Sequence, residues 1–108
     1  MVKVFPAGSL GPQYLRDLGG PLSDIPLMPT GGVTVDNLAE FHRSGARAFG
    51  VGSPLFESAR VASQDWDWLR ARAQAFVQAF EASLANLAPS VRDDAAALAA
   101  ILRQRTKA

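Results

Sequence analysis

Cysteine is absent from the 108 residues, and histidine occurs once, as His42. Without thiols the chain has no disulfide, no thiolate metal site and no cysteine nucleophile, and one imidazole does not build a histidine metal site. An excess of charge of either sign is missing too. Eleven Lys and Arg face ten Asp and Glu, and the basic residues are scattered. That excludes the basic stripe with which proteins hold nucleic acid or an anionic membrane surface. No apolar run approaches the ~20 residues of a membrane span, and no basic start leads into an apolar signal core. The expectation is a cytoplasmic protein with no cofactor, no metal, and neither nucleic acid nor membrane as partner. Apolar residues, by contrast, make up 48% of the chain, enough for a packed unit of one domain's size.

Three short apolar runs, residues 2–5, 25–28 and 46–51, are each closed by Gly or Pro and predict strands. Helices are predicted between them. The first opens at Gly11-Pro12, with proline suited to a first helical position, and stops at Gly19-Gly20. The second is capped by Thr34, carries Val35, Leu38 and Phe41 on one face, and ends at Gly45. Strand-helix-strand-helix-strand order predicts parallel βαβ units. Ser53-Pro54 then reads as the start of a short helix. From Asp65 to Ala88 a long helix is predicted, with Trp66, Leu69, Ala73, Phe76, Val77, Phe80, Leu84 and Leu87 as its core-facing stripe. Pro89 breaks it, and Ser90 with Asp93 starts a last helix over 89–108. His42, Arg70 and Arg72 read as solvated surface, and no pair among Asp24, Asp36 and Glu40 has acid/base spacing. A three-stranded parallel sheet leaves two strand edges open, whereas such sheets normally lie inside larger, doubly covered folds.

The unusual residues gather at the carboxyl ends of these strands, where α/β folds bind ligands. They are "VKVFPA" at 2–7, "MPTGG" at 28–32 and "GVGSPLF" at 50–56. Lys3 interrupts an apolar run. Such a lysine either lies on the wet face of an edge strand or stands in an interior, where an unpaired ammonium costs several kcal/mol. Gly31-Gly32 brings bare backbone amides within reach of a ligand, and Ser53 at a helix start would meet an anion with free N–H groups. Alone, each is an ordinary turn or cap; together, at successive strand ends, they match the phosphate site of (β/α)8 barrels.

The three motifs in this order resemble the class I KDPG/KHG aldolase family, which cleaves 2-keto-3-deoxy-6-phosphogluconate-type sugar acids. The resemblance spans residues 2 to about 80 and corresponds to the last three βα units of the family's barrel. It implies an α/β fold, the C-terminal portion of a (β/α)8 barrel over 1–88, to which the helix read at 89–108 is an addition beyond the resemblance. It also implies Lys3 as the Schiff-base nucleophile, pointing into a barrel interior where desolvation favours the free amine. Phe5 would line the pocket, Thr30 would contact the substrate carboxylate, and Gly31, Gly32 and Ser53 would hold phosphate. The implied partner is a phosphorylated keto sugar acid, split into pyruvate and an aldehyde such as glyceraldehyde 3-phosphate without metal or cofactor. The family's general-base glutamate and carboxylate-binding arginine have no counterpart at matching positions, and 108 residues fall short of the ~200–250 of a closed barrel. A phosphate-binding or assembly half-barrel without catalysis is the alternative, and open strand edges predict a homo-oligomer. A thiamin phosphate synthase-like barrel shares the Gly-Gly loop but not the lysine-bearing strand.

Overall fold

The computed structural model describes residues 1–85. Its elements are β1 (Val2–Val4), α1 (Ala7–Gly19), β2 (Leu27–Pro29), α2 (Leu38–Arg43), α3 (Ser58–Ala62) and α4 (Trp66–Leu84). The helix expected at 89–108 lies outside the described residues. β1 and β2 pair in parallel, Val2 opposite Leu27, Lys3 opposite Met28 and Val4 opposite Pro29, with α1 as the crossover. The third expected strand is not a strand. Its residues touch β2 through two parallel bridges, Leu27 with Ala46 and Thr30 with Gly50. Arg47 N–H donates to Leu27 and Gly50 N–H to the Pro29 carbonyl. Pro29 has no N–H to return, so the ladder is broken between these two ends.

Helix α1 begins earlier than proline placement suggested, at Ala7, and kinks at Gly11 (φ 81°, ψ 166°), so that Pro12 opens its second segment. The entry to α2 is a reciprocal capping box. Asn37 N–H donates to Thr34 Oγ1 at 3.2 Å, and Thr34 N–H donates to Asn37 Oδ1 at 2.8 Å. The Leu38 N–H then takes the Thr34 carbonyl, so helical bonding starts where Thr34 marks it. Gly45, at φ 111°, closes the helix by donating to His42 O.

Two apolar clusters fill the core. Val4, Ala7, Leu15, Leu27, Phe41 and Ala46 form the first, beneath the sheet; Val33, Leu38 and Phe76 form the second, between α2 and α4. Phe49 packs against both. Each fully buried large side chain contributes about 1.5–3 kcal/mol, so this small unit depends on few residues.

α2 is covered on both sides, by α1 and by α4, and this overturns the expectation of a surface His42. Its imidazole is 4% exposed, stacks on Phe80 (centroids 5.1 Å apart) and meets Phe49 edge-on at 5.7 Å. Ser83 Oγ donates its single hydrogen to the Phe80 carbonyl at 2.6 Å. His42 Nδ1, 2.5 Å from that hydroxyl, must therefore be the donor to it. On α4 the stripe is Leu69, Ala73, Phe76, Phe80 and Ser83. Trp66 and Val77, expected in it, are 55% and 56% exposed, because they sit beside the stripe rather than on it.

Burial, reinforced by the Arg47 cation, holds the His42 pKa below its ordinary 6.5. The unfolded chain thus binds more protons than the fold once pH drops beneath about 6.5. This contribution to stability is full above that pH, shrinks as pH falls, and levels off below the folded-state pKa. A urea midpoint that declines between pH 7 and 5 in the parent, and declines less in His42→Gln, is expected. Ser83→Ala leaves the buried Nδ1–H without an acceptor and is expected to cost about 1–3 kcal/mol; an unchanged midpoint would sink this account of the α2–α4 contact.

Candidate functional site

Lys3 sits in the middle of β1, and its side chain is exposed. The expectation of a lysine enclosed in an interior is not met among the described residues, where Lys3 is exposed and β1 pairs with β2 alone. The Lys3 ammonium instead lies 5.9 Å from the Phe5 ring centroid, at the outer edge of cation–π range. On the open flank of β1 an apolar groove of about 320 Å³ is lined by Lys3, Phe5, Leu10, Tyr14, Leu22 and Val2. Phe5 is 66% exposed, yet its ring also lies against Gly31: a Cβ built on Gly31 would come 2.6 Å from the ring. Phe5 therefore joins the lysine to the glycine loop.

Thr30 ends β2. Its N–H donates to Val4 O and its carbonyl accepts from Ala7 N–H, which ties the end of β2 to the start of α1. The Thr30 hydroxyl leans on the Met28 carbonyl at 3.4 Å and packs onto Gly50, where any side chain would collide with it. Gly31 and Gly32 follow at φ 82° and 84°, a region that other residues enter only with strain. The Gly31 carbonyl accepts from Gly8 N–H at 2.7 Å, and the Gly32 carbonyl accepts from Asn37 Nδ2 at 2.8 Å. Among the described residues no protein acceptor engages the N–H of Gly31 or Gly32.

Ser53 is exposed and lies in a turn, not at a helix start. The Leu55 and Phe56 amides both close on Gly52 O, and the next helix, α3, begins only at Ser58 after Glu57. The dipole of a helix does not act at Ser53, because one turn around Pro54 leads into an extended Glu57. What holds this turn is a residue expected in solvent. Arg72 Nε donates to Pro54 O at 3.1 Å, and its guanidinium lies 5.5 Å from the Phe76 centroid. Arg72 stands three residues after Leu69 and four before Phe76, on the buried stripe; that spacing was the available signal. Arg70 does remain exposed.

The structure thus brings Lys3, Phe5, Thr30, Gly31 and Gly32 together at the ends of β1 and β2, and places Ser53 three residues beyond the Thr30–Gly50 bridge. Gly8, Asn37, Gly50 and Arg72, which shape the loops, carry no chemical signature in the sequence. Among the described residues no His, Asp and Glu cluster could hold a metal ion, and no helix is long and apolar enough to cross a membrane.

The family model of KDPG and KHG aldolase matches residues 1–72. The chain belongs to this aldolase family. The 2-dehydro-3-deoxy-6-phosphogalactonate aldolase of Escherichia coli (strain K12) is 39% identical over 80 residues, covering 73% of this chain and 37% of that protein. The probable 2-dehydro-3-deoxy-6-phosphogalactonate aldolase of Rhizobium meliloti (strain 1021) is 34% identical over 82 residues, 75% of this chain and 37% of that one. A native KDPGal structure superposes with a TM-score of 0.69 at 36% identity, over 76% of this chain and 38% of the other. A cube-shaped, highly porous protein cage, designed by fusing symmetric oligomeric domains, gives 0.70 at 35% identity over 97% of this chain and 38% of its own. This aldolase-family chain therefore shares an α/β arrangement of parallel strands and helices with KDPGal, while spanning little more than a third of its relatives' length.

Proposed function

We propose that this chain carries the nucleophile and the phosphate loop of a class I aldolase acting on 2-keto-3-deoxy-6-phospho sugar acids. The observation that carries the reading is the junction made by Phe5, whose ring touches the Gly31 loop and flanks the Lys3 amine. In this reading Lys3, as the free amine, attacks the keto carbon; loss of water leaves an imine. Once protonated, the imine draws electrons from the C–C bond one carbon further out as the hydroxyl on that bond's far carbon loses its proton. The bond breaks to release the aldehyde and leave an enamine, which takes up a proton on carbon and is hydrolysed to pyruvate and free Lys3. Thr30 meets the substrate carboxylate, and Gly31, Gly32 and Ser53 meet the phosphate. The fold is the C-terminal part of a (β/α)8 barrel, residues 1–88, and self-association covers the open flank of β1. The relative built from symmetric oligomeric domains is in keeping with that. Turnover requires proton transfers that general acid–base groups speed by ~10²–10⁴-fold, and among the described residues no carboxylate at these strand ends is placed to supply them.

Incubation with pyruvate and borohydride, followed by peptide mapping, tests the reading. Lys107 is the only other lysine and serves as the internal control. An adduct on Lys3 at least tenfold above Lys107 is expected, with little aldol cleavage. Equal, slow labelling of both lysines would refute the aldolase role. One observation favours a second reading, a phosphate-binding or assembly module without turnover: Lys3 is exposed rather than enclosed. Phosphate binding without any Lys3 adduct would select it.

A further inference from the structure

Two consecutive peptide units make up the glycine loop, and each has its carbonyl fixed by a different donor. The Gly31 carbonyl is held by Gly8 N–H at 2.7 Å, and the Gly32 carbonyl by the Asn37 side-chain amide at 2.8 Å. In a planar trans peptide the N–H points opposite to the C=O. Fixing the Gly31 carbonyl therefore turns the Gly32 N–H away from Gly8, and fixing the Gly32 carbonyl turns the Val33 N–H away from Asn37. Gly8 holds its unit through backbone alone, at a contact so close that a Cβ on Gly32 would lie 2.8 Å from Gly8 Cα. Asn37 holds the other through a side chain, and among the described residues nothing else bonds the Gly32 carbonyl.

We infer that Asn37 is a positioning residue for the phosphate loop, fixing the Gly32–Val33 peptide plane, and with it the conformation of Gly32, through its hydrogen bond to the Gly32 carbonyl. The inference rests on the phosphate reading of Gly31 and Gly32 given above. One side chain does two jobs. Asn37 Oδ1 accepts from Thr34 N–H in the capping box, while Nδ2 reaches back five residues to the loop. The start of α2 and the orientation of the loop are thereby locked to one another. Asparagine fits both tasks because its amide offers an acceptor and donors at once. Aspartate would keep the cap, yet would turn a second oxygen toward the Gly32 carbonyl.

Titration of the full chain with inorganic phosphate, followed by amide NMR, separates the two jobs. In the parent, phosphate is expected to shift the Gly31 and Gly32 amides. Asn37→Ala should weaken phosphate by about fivefold to tenfold, the worth of one hydrogen bond, and lower the order parameters of Gly31–Val33 without ligand. Thr34→Ala removes the cap hydroxyl but leaves the Asn37–Gly32 bond, and should change affinity by less than about twofold. Asn37→Asp, which keeps the cap and so the fold, should loosen the loop as Asn37→Ala does. If Thr34→Ala weakens phosphate as much as Asn37→Ala, or if both Asn37 variants leave the loop as rigid as the parent, the positioning role is overturned. If phosphate shifts neither amide in the parent, the phosphate reading fails, while the order parameters still decide whether Asn37 fixes the loop.

Discussion

Phe41→Ala is expected to remove about 3–5 kcal/mol of stability, the range for deleting a buried aromatic ring. The ring is 1% exposed and packs among Val4, Leu15, Leu27 and Ala46, where the sheet, α1 and α2 meet. A domain of this size holds only about 5–15 kcal/mol in all, so the variant should unfold at much lower urea or fail to fold at 37 °C. Because the same cluster seats Val4 beside Lys3 and Leu27 at the base of β2, the site should go with it. A urea midpoint within about 0.3 M of the parent would show that this cluster does not hold the sheet to α2, since a 3 kcal/mol loss shifts the midpoint by at least ~1 M.

Gly32→Ala is the second large effect expected. A methyl group there lies 2.8 Å from the Gly8 Cα, a backbone atom that cannot swing aside, and the residue must also hold φ 84°. Backbone strain contributes about 1–3 kcal/mol and overpacking about as much again. Gly19→Ala, at the end of α1 with open space around it and no positive φ, is the matched control and should change stability by less than about 1 kcal/mol. The two variants are compared by thermal melting; for a chain of this length each kcal/mol moves the midpoint by roughly 4–8 °C. Equal melting of the two would mean that the loop does not pack against Gly8 in the way described.

The parallel βαβ order, the Thr34 cap and the glycine punctuation were legible because each is written in local residue types. A glycine at positive φ and a threonine three residues before its partner leave signatures that need no tertiary context. The third strand is not legible because apolar content marks burial, whereas a strand also needs donors opposite its acceptors, and Pro29 withholds one. The burial of His42 is hidden for a related reason. A six-residue helix clamped between two others keeps only a narrow solvated face, here Glu40 and Arg43, and periodicity along one helix does not reveal how many neighbours it has. Ser83 escaped notice as a polar residue on an apolar stripe, meaningful only once His42 is seen opposite. At the site, Lys3, Phe5, Thr30, Gly31, Gly32 and Ser53 stand out through their motifs. Asn37 and Arg72 act by reaching backbone carbonyls five and eighteen residues away, and such bonds have no sequence pattern. The helix expected at Ser53 failed because a serine-proline pair opens turns as readily as helices.

The flank of β1 governs how one copy of the molecule greets another. With a net charge of +1 and an isoelectric point near 8.3, Coulomb repulsion between copies is faint at neutral pH. Their pairwise forces are then dominated by the short-range pull of Val2, Phe5 and Tyr14, all outward-facing. Added sodium chloride has little repulsion to screen, whereas sulfate, excluded from apolar surface, strengthens the pull. Colloidal behaviour in this chain is set less by its ions than by one strand whose flank the described residues leave uncovered.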